Sequence, residues 1–289
     1  MYCIYTDKDV PTEKCNLDHV VPLSLGGQDE FVVWSDRDVN SKLGSEVDGK
    51  LGQDNLVRMA LRDAGVKGHS GKESIPVWKN SQINGRPTQI TWAKDKVVAW
   101  DAIDRRELSD DEFIGQEMST TWQIDLHLTT RFLAKVALGA GYFIYGDIFR
   151  SIVDCETLRE LSLLSREEVK NSYRLMSSSI SICDRFHEDS QPNKPGYLHR
   201  VMAETIRRSM VVSTPHDDAI SIHVGLVGMY IGSIIIPAET NDLPRYDEHD
   251  LGHALLLAPG PFQRISYRSL MAKVYRQRTG KEAPSLPAG

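Results

Sequence analysis

The stretch Asp18-His19-Val20-Val21-Pro22-Leu23-Ser24-Leu25-Gly26-Gly27 sets the frame for reading this chain. A carboxylate stands directly before a histidine, and a β-branched pair, a proline and two glycines follow. Asn40 lies 21 residues beyond His19, with Lys42, Gly44 and Asp48 around it in a segment that reads as a helix. Val-Val-Pro leaves a strand, and Gly26-Gly27 permits a loop that turns the chain back. Phe31-Val32-Val33-Trp34 supplies a second strand leading into the helix that carries Asn40. The pattern predicts strand, loop, strand and helix between Cys3 and Asp48.

Those residue types suit phosphodiester hydrolysis. A water must lose a proton, and histidine is the side chain whose ordinary pKa fits that task near neutrality. Charge developing on the phosphate and on the leaving oxygen is stabilised by a divalent cation acting as a Lewis acid. Hard cations such as Mg²⁺ take oxygen ligands, one or two from protein and the rest from water and phosphate. Asp18 offers a carboxylate and Asn40 a neutral carbonyl. Neighbouring residues on a strand face opposite ways, so one of Asp18 and His19 holds a metal while the other faces the water.

The pattern resembles the HNH endonuclease family, the ββα-metal finger, through DHVVPLSLGG and the following NSKLGSEVD. It is most similar to the subgroup that opens CxxC, continues with acidic-His-hydrophobic-Pro and Leu-Gly-Gly, and then has CxxCN before a helix. It also resembles the HNH domain of RNA-guided nucleases, and RFLAKVA (131–137) is similar to the C-terminal regions of the subgroup. The resemblance implies that His19 is the general base, that Asp18 and Asn40 hold Mg²⁺ or Mn²⁺, and that DNA is the substrate. Asn40 takes the last position of the H-N-H signature. Two positions depart from the family. Cys3-Ile-Tyr-Thr6 and Asp36-Arg-Asp-Val39 stand where the subgroup has two CxxC pairs. No structural zinc is expected, and Tyr5, Val33, Trp34 and Leu43 are expected to hold the finger by packing. The middle Asn of the signature falls near Phe31 and is missing.

Bulk properties set bounds. The chain has 289 residues, 40% hydrophobic and 26% charged, so it can bury a core without disulfides. Net charge is −6, which gives no overall basic footprint for nucleic acid, although a local patch suffices. Cys3, Cys15, Cys155 and Cys183 form no CxxC pair, and the N-terminus carries no secretory pattern, which together suggest a reducing cytoplasm. The longest apolar run, Ile231–Pro237, is strand-sized, so no membrane insertion is expected.

Downstream, Leu56, Met59 and Ala60 share a helix face, and a Gly/Ser/Lys loop from Gly65 to Lys72 marks a module boundary. Strands are expected over residues 75–100, with Asn84-Gly85 as a hairpin turn. Ser109 opens a helix, residues 125–145 form one with Leu128, Phe132, Val136 and Gly139 on one face, and residues 155–175 and 197–210 are further helices. Residues 219–236 read as two strands, residues 262–278 as a basic amphipathic helix, and the last ten as a loose tail. The fold class is α+β: an HNH module (1–72) and a larger mixed α+β domain (73–289).

Lys42, Arg58, Arg62, Lys67 and Lys72 near the finger, and Arg264, Arg268, Lys273, Arg276 and Arg278 on the basic helix, are the candidate phosphate contacts. His249 and His253 have i,i+4 spacing but no third ligand, and read as part of an exposed acidic turn. His216-Asp217-Asp218 caps a turn. The expected activity is metal-dependent nicking of DNA, with a homodimer or partner proteins for double-strand cleavage, in anti-phage defence or restriction. The alternatives are a degenerate finger that binds nucleic acid or protein without cutting, and an RNA- or structure-specific nuclease.

Overall fold

The computed structural model describes residues 1–68, 71–93, 95–187, 192, 194, 196–243, 249 and 251–284. The fold is mixed α+β. A short hairpin of β1 (Tyr2–Cys3) and β2 (Lys8–Asp9) precedes β3 (Cys15–His19), which pairs antiparallel with β4 (Val32–Asp36) from Cys15↔Asp36 to His19↔Val32. In the loop between them Gly26 sits at φ 83°, and a Cβ at Gly27 would lie 1.7 Å from the Val21 carbonyl oxygen. Only glycine fits at either position. Asp36 then caps α1 (Arg37–Leu43), its carboxylate accepting from the Asp38 and Val39 N–H groups at 2.9 and 3.3 Å. A π-helical turn (Gly44–Asp48), α2 (Gly49–Leu51) and α3 (Asn55–Asp63) follow.

Alternation on β4 decides what holds this unit. Val33 is buried, as are Tyr5 and Leu43, but Trp34 points outward at 39% exposure opposite exposed Leu17. Trp34 therefore does not share the packing role expected of it. On α3 the buried face is Val57 and Leu61, not Leu56, Met59 and Ala60, because the helix meets the rest of the core one residue further round.

Residues 77–120 make a separate five-stranded antiparallel sheet: β5 (Val77–Ile83), β6 (Arg86–Trp92), β7 (Val97–Asp101), β8 (Arg106–Glu107), the one-turn α4 (Asp110–Phe113) and β9 (Met118–Thr120), ordered β8-β7-β6-β5-β9. Asn84 and Gly85 both take positive φ at the β5–β6 turn, and Ser109 and Glu112 form a capping box. Trp78 packs between Trp92 and Trp122 at ring-centroid distances of 4.6 and 4.9 Å.

The centre of the molecule is α5 (Leu126–Tyr145), buried on every side rather than on one face. The N-terminal unit covers one side, and α6 (Asp147–Ile152), α7 (Cys155–Leu163) and a large sheet cover the rest. A helix enclosed in this way is apolar nearly all round, and the charges it does bury, Arg131 and Lys135, are paired. The expected helix over 155–175 is divided, because Ser165 and Ser172 cap new starts at α8 (Arg166–Asn171) and α9 (Tyr173–Ser177).

The large sheet comprises β10 (Ser181–Asp184), β11 (Met210–Pro215), β12 (Ala219–Leu226), β13 (Met229–Pro237), β14 (His253–Leu256) and β15 (Gln263–Ser266), ordered β10-β13-β12-β11-β14-β15 and antiparallel throughout. α10 (Tyr197–Ile206) and α11 (Tyr267–Thr279) cover its second face. Strands covered on both faces explain the continuous apolar run over residues 219–236. α10 ends before 210, where Arg207 turns left-handed. The basic helix begins only at Tyr267, since 263–266 pair with β14 and Ser266 caps the helix. Of the expected C-terminal tail, residues 285–289 lie outside the described residues.

The core does not divide at 72/73. Buried side chains from Cys3–Val66 and from Phe132–Leu257 form one cluster, and the five-stranded sheet stands apart from it. Among the described residues no helix is long and apolar enough to cross a membrane.

Two measurements test this packing. A Cβ on Gly139 would lie 2.8 Å from the Tyr5 hydroxyl and from Val20, where the N-terminal unit meets α5. Overpacking of about 1–3 kcal/mol exceeds the helix-propensity gain of about 1 kcal/mol from Gly139→Ala. Tm is therefore expected to fall, and an unchanged or raised Tm would show that this seam yields. On the second face of the large sheet, His199 and His223 stack at 3.3 Å and 10°. Burial, then the neighbouring His216, lowers the His199 pKa to about 4, and burial holds His223 well below 6.5. The unfolded chain takes up protons below pH 6.5 that these rings refuse, so stability is lost as pH falls from about 6.5 towards 4. His199→Gln should flatten that decline in thermal melts relative to the unmodified chain.

Candidate active site

β3 brings Asp18 and His19 to the end of the hairpin, and they diverge as strand alternation requires. Asp18 turns inward and is 4% exposed. Its carboxylate accepts from the Tyr5 hydroxyl at 2.8 Å and lies 3.4 Å from the Lys135 ammonium on α5. Lys135 is fully buried. It donates also to the His19 carbonyl at 3.2 Å and to Asp48 at 2.6 Å. A lysine in the middle of α5 thus spans the back of the Asp18-His19 peptide and the end of the π turn.

His19 faces the other way. Its Nε2 lies 2.9 Å from a carboxylate oxygen of Asp29, in the loop after Gly27, and its side chain is 20% exposed against 85% for Asp29. Asn40, on α1, donates its amide to Asn16 Oδ1 at 3.0 Å, which ties the helix to the hairpin. Its own Oδ1 has no hydrogen-bond partner among the described residues.

The electrostatics of the inner cluster follow from two carboxylates sharing one buried ammonium. Burial alone would depress the Lys135 pKa, but Asp48 and Asp18 outweigh it and hold the ammonium charged. Burial, with the Asp18 charge adding to it, raises the Asp48 pKa to about 6 despite Lys135. One Asp48 oxygen is buried without a partner.

His19 and Asn40 belong to one strand–loop–strand–helix unit and are both half-buried, but the Asn16 that Asn40 meets lies three residues along β3 from His19, on the other side of the strand. Asp18 differs from its expected place: both its oxygens face cations or hydroxyls of the core, so it is not presented as a ligand beside Asn40. Among the described residues no group of three or more His, Cys, Asp or Glu side chains is arranged to hold a metal ion. Cys3 and Cys15 are both buried, and Cys3 Sγ accepts from the Asp36 N–H at 3.3 Å.

The candidate phosphate contacts are dispersed. Lys42, Lys67 and Lys72 are exposed. Arg58 donates to the Ile75 carbonyl just before β5, and Arg62 pairs with Asp63 and lies 6.0 Å from the Trp92 ring centre, so both brace α3 against the five-stranded sheet. Arg264 sits on β15 and donates to the Ile144 carbonyl. Arg268, Lys273, Arg276 and Arg278 are on α11, across the large sheet from the N-terminal unit. That separation removes them from the site.

His216 N–H donates to the Ala219 carbonyl in the β11–β12 turn, as expected of a turn cap. His253 is not exposed: it is buried on β14, stacked on His249 at 4.4 Å. Asp247, Glu248 and Asp250 of the expected acidic turn lie outside the described residues. Lys135 and Asp29 were not among the residues anticipated for the site. A single lysine within the apolar stretch 126–145 is the signal that points to the first. Comparisons with protein-family models, with characterised proteins and with solved structures return no match.

The Asp48 proton gives a direct check on this cluster. Between about pH 4 and about pH 6 the folded chain holds a proton that the unfolded chain has released. The associated stability is present below that window and is lost as pH rises through about 6. In Asp48→Asn that loss should vanish, so the difference in Tm between variant and unmodified chain grows in the variant's favour from pH 4 to pH 7. A constant difference across the range would show that Asp48 does not titrate there.

Proposed function

We propose that the chain is a metal-dependent endonuclease of the ββα-metal type that hydrolyses phosphodiester bonds in DNA. The observation that supports this most is the strand–loop–strand–helix unit in which His19, braced by Asp29, and Asn40, carrying an unpartnered carbonyl oxygen, are held by β3 and α1. His19 accepts the proton of the attacking water. Asp29, on Nε2, steadies the imidazolium that forms. A hydrogen-bonded base of this kind contributes about 10²–10⁴-fold.

Of the two residues expected to hold Mg²⁺ or Mn²⁺, only Asn40 keeps an oxygen open to the cation. Its neutral oxygen suits a hard cation that keeps several waters and takes its other ligands from the phosphate. Such a cation, when bound, supplies Lewis-acid stabilisation of the developing charge. Asp18 serves the fold instead, since its partners already engage the carboxylate. Lys42, exposed at the end of α1, is the nearest candidate in sequence for a phosphate contact.

One such site cuts one strand, so a monomer nicks, and a double-strand break requires a dimer or two events. The finger recognises backbone rather than base edges, which favours sequence tolerance. A role in anti-phage defence or restriction, in a cytoplasm that keeps the four free thiols reduced, rests on the family resemblance.

The withdrawal of Asp18 into the Lys135 pair favours a second reading, in which the finger binds nucleic acid without cutting it. Supercoiled plasmid incubated with Mg²⁺, Mn²⁺ or EDTA separates the two. The nuclease reading expects metal-dependent open circles and a loss of at least about 100-fold in His19→Ala with Tm retained. Plasmid that is bound but never nicked, in any metal, would replace it with the binding reading.

A further inference from the structure

We infer that Lys135 is the positioning residue for the Asp18-His19 dipeptide, an inference that rests on the nuclease reading for its catalytic consequence. The ammonium is wholly enclosed, and the contacts described for it all run to the functional strand or to its brace. It donates to the His19 carbonyl at 3.2 Å, lies 3.4 Å from the Asp18 carboxylate, and reaches Asp48 at 2.6 Å. Tyr5 closes the remaining side of Asp18 at 2.8 Å. The peptide that carries the imidazole is thereby fixed from behind by α5, the most enclosed helix of the fold, while the imidazole itself is fixed in front by Asp29.

Three features distinguish this from general core packing. The partner atoms belong to the candidate base and its immediate neighbour, not to residues scattered through the core. The acceptor on His19 is its backbone carbonyl, so the bond constrains the position of the main chain from which the ring projects. Charge also makes the contact directional: two carboxylates on separate segments, β3 and the π turn, converge on one cation. Displacement by about 1 Å at a reacting centre can lower a rate by about 10²-fold, and a methionine at position 135 would fill the volume while removing every one of these bonds.

The test uses the full chain, with Lys135→Met and with the double variant Lys135→Met/Asp48→Asn. The double variant restores the charge balance of the buried cluster and guards against simple unfolding. Amide hydrogen exchange is read at residues 18–21 and, as a control, along β12 and β13. Exchange at 18–21 is expected to quicken at least about tenfold in the double variant while β12 and β13 hold. Plasmid nicking should fall at least about tenfold with DNA affinity in EDTA unchanged within about twofold, and the substitution should add nothing in a His19→Ala background. Unchanged exchange at 18–21, or the same acceleration in β12 and β13, overturns the inference. So does normal nicking by a double variant that shows the local acceleration. If the unmodified chain does not nick but the local exchange result holds, the nuclease reading fails while the hold of Lys135 on the dipeptide stands.

Discussion

The Lys135 ammonium is the constraint around which the rest of the structure is arranged. A buried charge without a partner is costly, and breaking a buried pair by removing one member costs about 3–5 kcal/mol. Here the ammonium has two carboxylates and a carbonyl within reach, drawn from two parts of the N-terminal unit, the Asp18-His19 end of β3 and the π turn. Those acceptors can be supplied together only if β3, the π turn and α5 meet in one register. The pairing is better understood as a device for specifying that register than as a source of net stability, because desolvation offsets much of the attraction.

From that point the architecture follows by packing. Gly139 lets Tyr5 and Val20 approach α5, and Gly141 does the same for Phe149 on α6. The sheet of β10–β15 closes the far side of α5 with Val211, Ile222, Val224 and Ile234, and buries its other face under α10 and α11. The N-terminal strand–loop–strand–helix unit is therefore a component of the main core and not an appendage. The five-stranded sheet, with its own tryptophan cluster, is the part that stands apart. Arg58 and Arg62, which lie close to the motif in sequence, are spent on joining that sheet to α3.

This arrangement bears on the chemistry. A carboxylate locked to lysine and tyrosine is a poor ligand for a cation that must exchange waters and phosphate oxygens. His19 with Asp29, and Asn40 with Asn16, are half-buried or exposed and keep access to solvent. The proposed hydrolysis would leave the cation one neutral protein oxygen in place of the one or two carboxylates that Mg²⁺ usually takes, with water and phosphate supplying the rest.

Much of the local structure could be read from the amino acids. The Val-Val-Pro run, the adjacent glycines, the Asp36 cap, the Asn84-Gly85 turn and the Ser109 capping box depend on short-range sterics and hydrogen bonds, and each appears where its residues stand. Strand alternation likewise separated Asp18 from His19. Which of the two would meet solvent was not local information. It depends on what packs against the hairpin, and Lys135 lies 117 residues from Asp18. The same holds for α5, whose period suggested one buried face until two further layers enclosed it, and for the basic stretch after Pro261, whose first residues, Gln263–Ser266, the free edge of β14 drew into a strand. The sequence by itself determined the motif and its turns, because those are set by neighbours along the chain. Only the tertiary structure decided the role of Asp18 and the partners of Lys135, because burial and charge pairing are properties of what surrounds a side chain in space.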